Sequence, residues 1–471
     1  MAYRYGDRDQ LSLFPPCVDD YVPQDAPVRA YDAMVEALDF KDLGIEIDPH
    51  ATGNPQYDPK SMLKLHVYGI AYGVRSSRKL EREANYNISF IWLMKQLKPD
   101  HKTIAEFRRK NKKALQNVLK QCARMCLKLD LIEGNTLFVD GSKIRANAAF
   151  KNKWDEKRCL EALKKADQNI DRILKECDDI DLEEEASPSL IKMQEELSDS
   201  KALKSKVIGI LNELTCEKKE QLNTTDPDCA MMHSIKGTHA SYNAQIVVDK
   251  KHGLIVSADA TSDNNDCLQF AEQIGHAHET LQRPCSTACA DAGYANAPLL
   301  EEIAKQDVTV VVPSIAQASK IKPFAKKNFI YDKAEDHYTC PEGTTLIYRF
   351  TDKRGTRIYT TLNNACKRCP SFDLCTKSKH GRVIYRFKDE ELKEKFEAIY
   401  KQSDCQQIYK LRKEKAELPF GHIKHNLKFD SFLLRGTDGV KAEISLAATC
   451  FNIARMITIL GIPALIQKMQ G

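Results

Sequence analysis

The sequence has no glycine-rich loop followed by Lys-Ser or Lys-Thr, so nothing in it predicts a nucleoside triphosphate site. It has no apolar run approaching the ~20 residues of a membrane span. Behind the polar stretch Met1–Gln10 there is no apolar segment of the kind a secretory signal needs. Net charge is also scarce: 71 Lys and Arg against 66 Asp and Glu leave +5 over 471 residues, too small a balance to name a partner. A hydrophobic share of 42% and a charged share of 29% fit a globular protein. These readings predict a cytoplasmic chain with no membrane partner and roughly two to four domains. Sixteen cysteines are present. Without a signal peptide they are expected to be reduced thiols. Cys122, Cys126, Cys289 and Cys450 stand singly in apolar stretches and read as small buried hydrophobes.

Pattern divides the chain. A short helix is expected at 28–38, after Pro15-Pro16. Residues 58–130 are helical in period, opening with Asp58 as N-cap and Pro59 in the first turn. Helices are expected to begin again at Leu80 and Lys102. Basic residues (Arg75, Arg78, Lys79, Arg82, Arg108, Arg109, Lys110) alternate there with apolar ones, as in helical domains that grip a DNA backbone; a merely solvated helix face has the same pattern. Thr136–Val139 is a β-type run ending at Asp140. From 155 to about 215 a Glu/Lys/Leu-rich pattern predicts a helical hairpin, interrupted by the acidic run Asp178–Glu185 and Ser187-Pro188; a dimerisation arm is the other reading. Strands follow at 242–248 and 254–260, then a helix at 267–281, a strand at 287–290, a helix at 297–305 and a strand at 308–312. Residues 320–390 read as loop-rich, 389–417 as helical and 443–468 as a final apolar helical region.

Two strands end alike. Phe138-Val139-Asp140-Gly141 and Cys289-Ala290-Asp291-Ala292-Gly293 each put an aspartate where the apolar residues stop. Aspartate is disfavoured inside strands, and a single one there is ordinarily a turn former. Two of them, separated by a hairpin and a helix, suggest a paired carboxylate site. A third carboxylate, Glu417, lies in a charged helix between Arg412 and Lys424, with Glu414 as a competitor. Three carboxylates can hold two hard divalent cations. Such a pair activates a water or 3′-OH and stabilises the leaving oxygen of a phosphodiester, while neighbouring cations hold the phosphates. Asp263 and Asp266 are weaker candidates for the same site. His276 and His278, two residues apart on a helix, face apart and do not suggest a metal pair.

With these motifs in this order the chain resembles the DDE transposases of bacterial insertion sequences, from about residue 55 to 455. Tyr57-Asp58-Pro59, Val74–Glu81, Pro99–Ile104 and Phe107-Arg108 look like the helical DNA-binding domain of that group. Phe138–Lys143 looks like its first catalytic motif, and Ala290–Tyr294 like its second. Asp226-Pro227-Asp228, Tyr242–Gln245 and Val248-Asp249 look like intervening core strands, and Glu417–Lys424 like the third motif. The family's Tyr-x2-Arg-x3-Glu-x6-Lys appears here as Tyr409-x2-Arg412-x4-Glu417-x6-Lys424. One extra residue turns a helix by 100°, which leaves the direction of Arg412 open.

The resemblance implies an α/β, ribonuclease-H-like catalytic core over 131–455, carrying a helical insertion at 151–225 and a cysteine-cluster insertion at 320–390. It implies a helical DNA-binding domain at 1–130 and a tail helix at 456–471. It further implies strand cleavage and transfer at element ends by Asp140, Asp291 and Glu417 with two Mg²⁺. Arg78, Lys79, Arg82, Arg108, Tyr409, Arg412 and Lys424 would contact double-stranded DNA, both terminal repeats and target, in a homo-oligomer. An inactive or domesticated zinc-containing DNA-binding protein, and a nuclease that cuts without joining, are the alternatives. Separately, Cys340, Cys366, Cys369 and Cys375 form a C-x2-C with two further cysteines, a set suited to a tetrahedral structural Zn²⁺. The family branch carries a similar cysteine-bearing insertion before its final Glu.

Overall fold

The computed structural model describes residues 17–47, 56–181, 188–216, 219–234, 237–314, 323–362 and 365–470. Pro15-Pro16, Ser187 and the end of the acidic run after 181 lie outside them. In chain order the N-terminal part is α1 (Pro27–Glu36), α2 (Pro59–Ala71), α3 (Ser77–Tyr86), α4 (Ile88–Leu93), α5 (His101–Lys110) and α6 (Lys112–Lys128). Strand β1 (Thr136–Arg145) follows, then β2 (Lys153–Trp154), α7 (Glu156–Asp181), α8 (Pro188–Cys216), β3 (Leu222–Asn223), β4 (Ala230–Ser234), β5 (Gly237–Asp249) and β6 (Ile255–Thr261). Next come α9 (Phe270–Leu281), β7 (Thr287–Cys289), α10 (Ala297–Ala304), β8 (Thr309–Val311), β9 (Ile330–Asp332), β10 (His337–Thr339), β11 (Thr345–Thr351) and β12 (Arg357–Thr361). The chain ends with α11 (Phe372–Cys375), β13 (Val383–Arg386), α12 (Glu390–Tyr400), α13 (Ser403–His425), α14 (Thr437–Leu460) and α15 (Ile462–Gln470).

The chain forms two compact units, one of residues 1–133, 141–264 and 416–471, the other of 134–140 and 265–415. In the first unit, α2 begins as its sequence dictates: the Asp58 carboxylate accepts the N–H groups of Lys60 and Ser61, and Pro59 sits at the first helical position. A cap of this kind stabilises a helix by about 1 kcal/mol. Helix α14 is the centre of this unit. Val440, Ile444, Ala447, Ala448, Phe451 and Met456 are buried along it, and it packs on α2, α6 and β6. Among the described residues it is the one helix long and apolar enough to cross a membrane, yet 67% of its apolar window is buried inside the protein. Its length is spent on a core.

Asp226-Pro227-Asp228, expected in a strand, lies in the turn between β3 and β4. Its aspartates serve the N-terminus of α14: Asp226 Oδ1 accepts from Gly436 N at 3.1 Å and Asp228 Oδ2 from Thr437 N at 2.9 Å. Free N–H groups and the helix dipole favour carboxylates there. Helices α7 and α8 pair over Cys159, Val207, Ile210, Leu214 and Leu222, forming the expected hairpin.

Strand β1 is shared. Through its last residues it lies beside β5 in the first unit, where β4, β5 and β6 pair antiparallel. Through its first residues it pairs parallel with β7 in the second, and β7 pairs parallel with β8. The strand therefore runs on to Arg145 instead of ending at Asp140. It outlasts its β7 partner on one side and stays paired with β5 on the other. The second unit also holds a five-stranded antiparallel sheet, β13-β12-β11-β10-β9, where the sequence suggested loops. Its strands are short, and Ile330, Tyr348, Phe350 and Tyr385 are exposed on them. Phe329, Tyr338, Leu346, Tyr359 and Ile384 make its small core.

Candidate active site

In the second unit β1 and β7 run side by side with Thr136 opposite Thr287, Leu137 opposite Ala288 and Phe138 opposite Cys289. Leu137, Phe138, Val139, Ala288, Cys289 and Ala290 are all fully buried, the continuous apolar run expected of central parallel strands. Asp140 and Asp291 each stand two residues past the last registered pair, so the two carboxylates leave equivalent points of adjacent strands. Asp291 then starts a tight turn in which its Oδ1 accepts the Gly293 N–H at 2.8 Å. A Cβ on Gly293 would lie 2.9 Å from Asp291 Oδ1 and 3.7 Å from Asp266 Oδ2. A side chain at this position would press on the Asp291 carboxylate, and Asp266 stands next to the turn.

Arg412 faces both aspartates. Its Nη1 is 3.3 Å from Asp140 Oδ1 and its Nη2 3.9 Å from Asp291 Oδ2. The sequence left its direction open and assigned it to DNA; the structure turns it inward. Burial works against its charge, but Asp140 and then Asp291 outweigh burial and hold the guanidinium pKa above its usual value. One helical turn earlier, Tyr409 is half-buried, 5.2 Å from the Tyr400 ring and 5.8 Å below the Arg412 guanidinium. Glu414 is exposed and paired with Lys415 at 3.3 Å. Beside Asp291, burial pushes the Cys289 thiol up to about 12, so it stays neutral.

Glu417 and Lys424 belong to the first unit. Glu417 is exposed on α13, just before the in-helix Pro419. Lys424 Nζ donates to Ser142 Oγ at 2.5 Å and to the Lys143 carbonyl at 3.3 Å, so it is tied to the β1 segment right after the first motif.

The basic residues assigned to the N-terminal helices separate into two groups. Arg78, Lys79 and Arg82 are exposed on α3. Arg108 is not an outward contact: it is half-buried and donates to the Arg75 carbonyl at 3.0 Å. Arg75 is buried, pairs with Glu443 at 2.9 Å, donates to the Lys428 and Ser431 carbonyls and stacks on Phe429 at 3.6 Å. Both arginines serve the interior: the acceptors of Arg75 lie more than 300 residues away in sequence, and Arg108 is held by the Arg75 carbonyl in the loop between α2 and α3. Arg109 is exposed but held by Glu106 at 2.6 Å.

Cys340, Cys366, Cys369 and Cys375, all half-buried, line one small apolar cavity with Phe324, Phe329 and Leu346. The Thr344 N–H donates to Cys340 Sγ at 3.2 Å and the Thr361 hydroxyl to Cys366 Sγ at 3.5 Å. Burial raises the Cys375 pKa; the three neighbouring thiols add to the rise and Arg382 opposes it. Among the described residues the four sulfurs do not all come within 4.8 Å of one another.

Two family models match this chain. One, described as a transposase domain, covers residues 16–110. The other, described as a transposase DDE domain, covers residues 339–457 and so includes the cysteine cluster, Arg412, Glu417 and Lys424. No curated protein matches the chain. A solved structure, the cryo-EM structure of a piggyBac transposase synaptic complex with hairpin DNA, is similar at 8% identity with a TM-score of 0.35, over 95% of this chain and 79% of that one. So loose a likeness positions no residue here. The chain thus carries an N-terminal transposase domain followed by a transposase DDE domain, the arrangement typical of bacterial insertion-sequence transposases.

Proposed function

We propose that this transposase cuts and joins DNA at the ends of its element, with Asp140, Asp291 and Glu417 as ligands of two Mg²⁺ ions in a ribonuclease-H-like core. The observation that carries the reading is the placement of Asp140 and Asp291 at equivalent points of adjacent parallel strands. The parallel run of β1, β7 and β8, in that order within their sheet, supports the core assignment. The donor set fits the metal: aspartate oxygens are the hard ligands Mg²⁺ takes. The site also already sets a positive charge, Arg412, against both of them. Bound divalent cations would supply activation of a water or 3′-OH and stabilisation of the leaving oxygen.

The chain's own residues do the positioning. Two rigid strands fix the aspartates, and the Gly293 N–H orients the Asp291 carboxylate. Arg412, Tyr409 and Lys424 lie on the same helix as Glu417 and offer contacts to phosphate. No protein nucleophile is needed, and the neutral, buried Cys289 is unsuited to be one. The exposed Arg78, Lys79 and Arg82 supply backbone contacts from the N-terminal domain (1–130), within an oligomer that joins two ends. The four cysteines of the 320–390 insertion, soft donors around one cavity, suit a structural Zn²⁺.

Purified protein, Mg²⁺ and labelled terminal DNA test the reading. Asp140→Asn, Asp291→Asn and Glu417→Gln should each abolish cleavage while DNA binding persists, since each keeps shape and loses a negative ligand. Near-wild-type cleavage by any one removes that residue from the set, and Glu414 then replaces Glu417 as the candidate. Cut ends with no joined product would make the protein a nuclease.

A further inference from the structure

Arg412 reaches the two aspartates in an unusual way. A guanidinium normally forks onto one carboxylate with two short bonds of about 2.7–2.9 Å, as Arg109 does on Glu106 at 2.6 and 2.7 Å. Arg412 instead spends one nitrogen on each of two carboxylates from different strands, at 3.3 and 3.9 Å. The first contact is a long hydrogen bond and the second is too long to be one. Charge, more than directional bonding, keeps the group there. Its side chain is 12% exposed, so it is held inside the site and not merely draped across it. A second perch is within reach, since the Tyr409 ring centroid is 5.8 Å away, close to the limit of a cation–π contact.

We propose that Arg412 is the resident cation of the carboxylate pair, holding the charge position between Asp140 and Asp291 until a divalent cation displaces it. The proposal rests on the reading of these aspartates as metal ligands. With the guanidinium in place the pair carries one net negative charge, which keeps two facing carboxylates from splaying apart. Once displaced, the same guanidinium is freed toward Tyr409 and toward a phosphate. Arg412 is therefore a positioning residue that competes with the metal.

Titration calorimetry of Mn²⁺ into metal-depleted full-length protein, without DNA, tests this. Removing a competing charge at this range should tighten binding, so Arg412→Gln is expected to bind Mn²⁺ about tenfold more tightly than wild type. Arg412→Lys, whose single ammonium cannot span two carboxylates, should fall between. In chelator Arg412→Gln should melt lower than wild type, and saturating Mn²⁺ should close the gap. Unchanged or weaker Mn²⁺ affinity in Arg412→Gln overturns the proposal, even if the chelator melting point falls, because a purely structural ion pair would also give that fall. Should Arg412→Gln not fold, Arg412→Lys carries the comparison, and an affinity no tighter than wild type is then the overturning result. Asp140→Asn separates the two readings. If it binds Mn²⁺ like wild type, or wild type binds none, the ligand assignment falls and this proposal with it. If it abolishes binding while Arg412→Gln matches wild type, only the role of Arg412 falls.

Discussion

Mild acid should loosen the first unit through His66. The ring is 2% exposed, its Nε2 stands 3.2 Å from the Ile104 carbonyl and it stacks on Phe107 at 5.7 Å. It shares a cavity with Arg75, Arg108 and Glu443. Burial, and then the Arg108 charge, pull its pKa from 6.5 to about 3. The folded pKa is thus depressed, and for a histidine this means the unfolded chain takes up a proton near pH 6.5 that the folded chain refuses until near pH 3. The folded state is favoured above that window and loses ground as pH falls through it. Between pH 7.5 and pH 5.0 the linkage amounts to about 2 kcal/mol. Both tryptophans, Trp92 and Trp154, lie in the first unit, so their fluorescence in urea reports its unfolding. His66→Gln keeps an N–H for the Ile104 carbonyl but cannot titrate. Wild type should lose about 2 kcal/mol more than His66→Gln on going from pH 7.5 to 5.0. Equal losses in the two proteins would refute the reasoning, because His66 would then be protonated as easily folded as unfolded.

Gly293→Ala should cut strand cleavage about 100-fold with little change in melting temperature, since its Cβ would displace the Asp291 carboxylate by crowding and small misplacements are costly in catalysis. Wild-type cleavage by that variant would place Asp291 outside the chemistry. Elemental analysis should find about one zinc per chain, lost in the Cys366→Ser/Cys369→Ser double variant; a zinc content indifferent to that change would rule the four cysteines out. Replacing Arg78, Lys79 and Arg82 with Ala should weaken binding to terminal DNA and flatten its salt dependence by up to about 3 in log–log slope, at about 0.9 per phosphate contact. An unaltered slope would make α3 a solvated face and move the grip elsewhere.

What the sequence by itself determined is local. The Asp58 cap, the long helical hairpin and the order of strands and helices around the two motifs all follow from periodicity and capping. These preferences act over a turn or a strand length, so they are written in neighbouring residues. What only the tertiary structure decided concerns where each charge goes. Arg75 and Arg108 resemble Arg78 and Arg82 in any window of the sequence, but Glu443 and the 428–431 carbonyls claim Arg75 for the interior. Asp226 and Asp228 cap a helix about 210 residues later. Arg412 turns toward Asp140, 272 residues earlier in the chain. A buried charge must find its counter-charge wherever the fold brings one, because leaving it unpaired costs several kcal/mol. That requirement is settled by packing, and no local pattern encodes it.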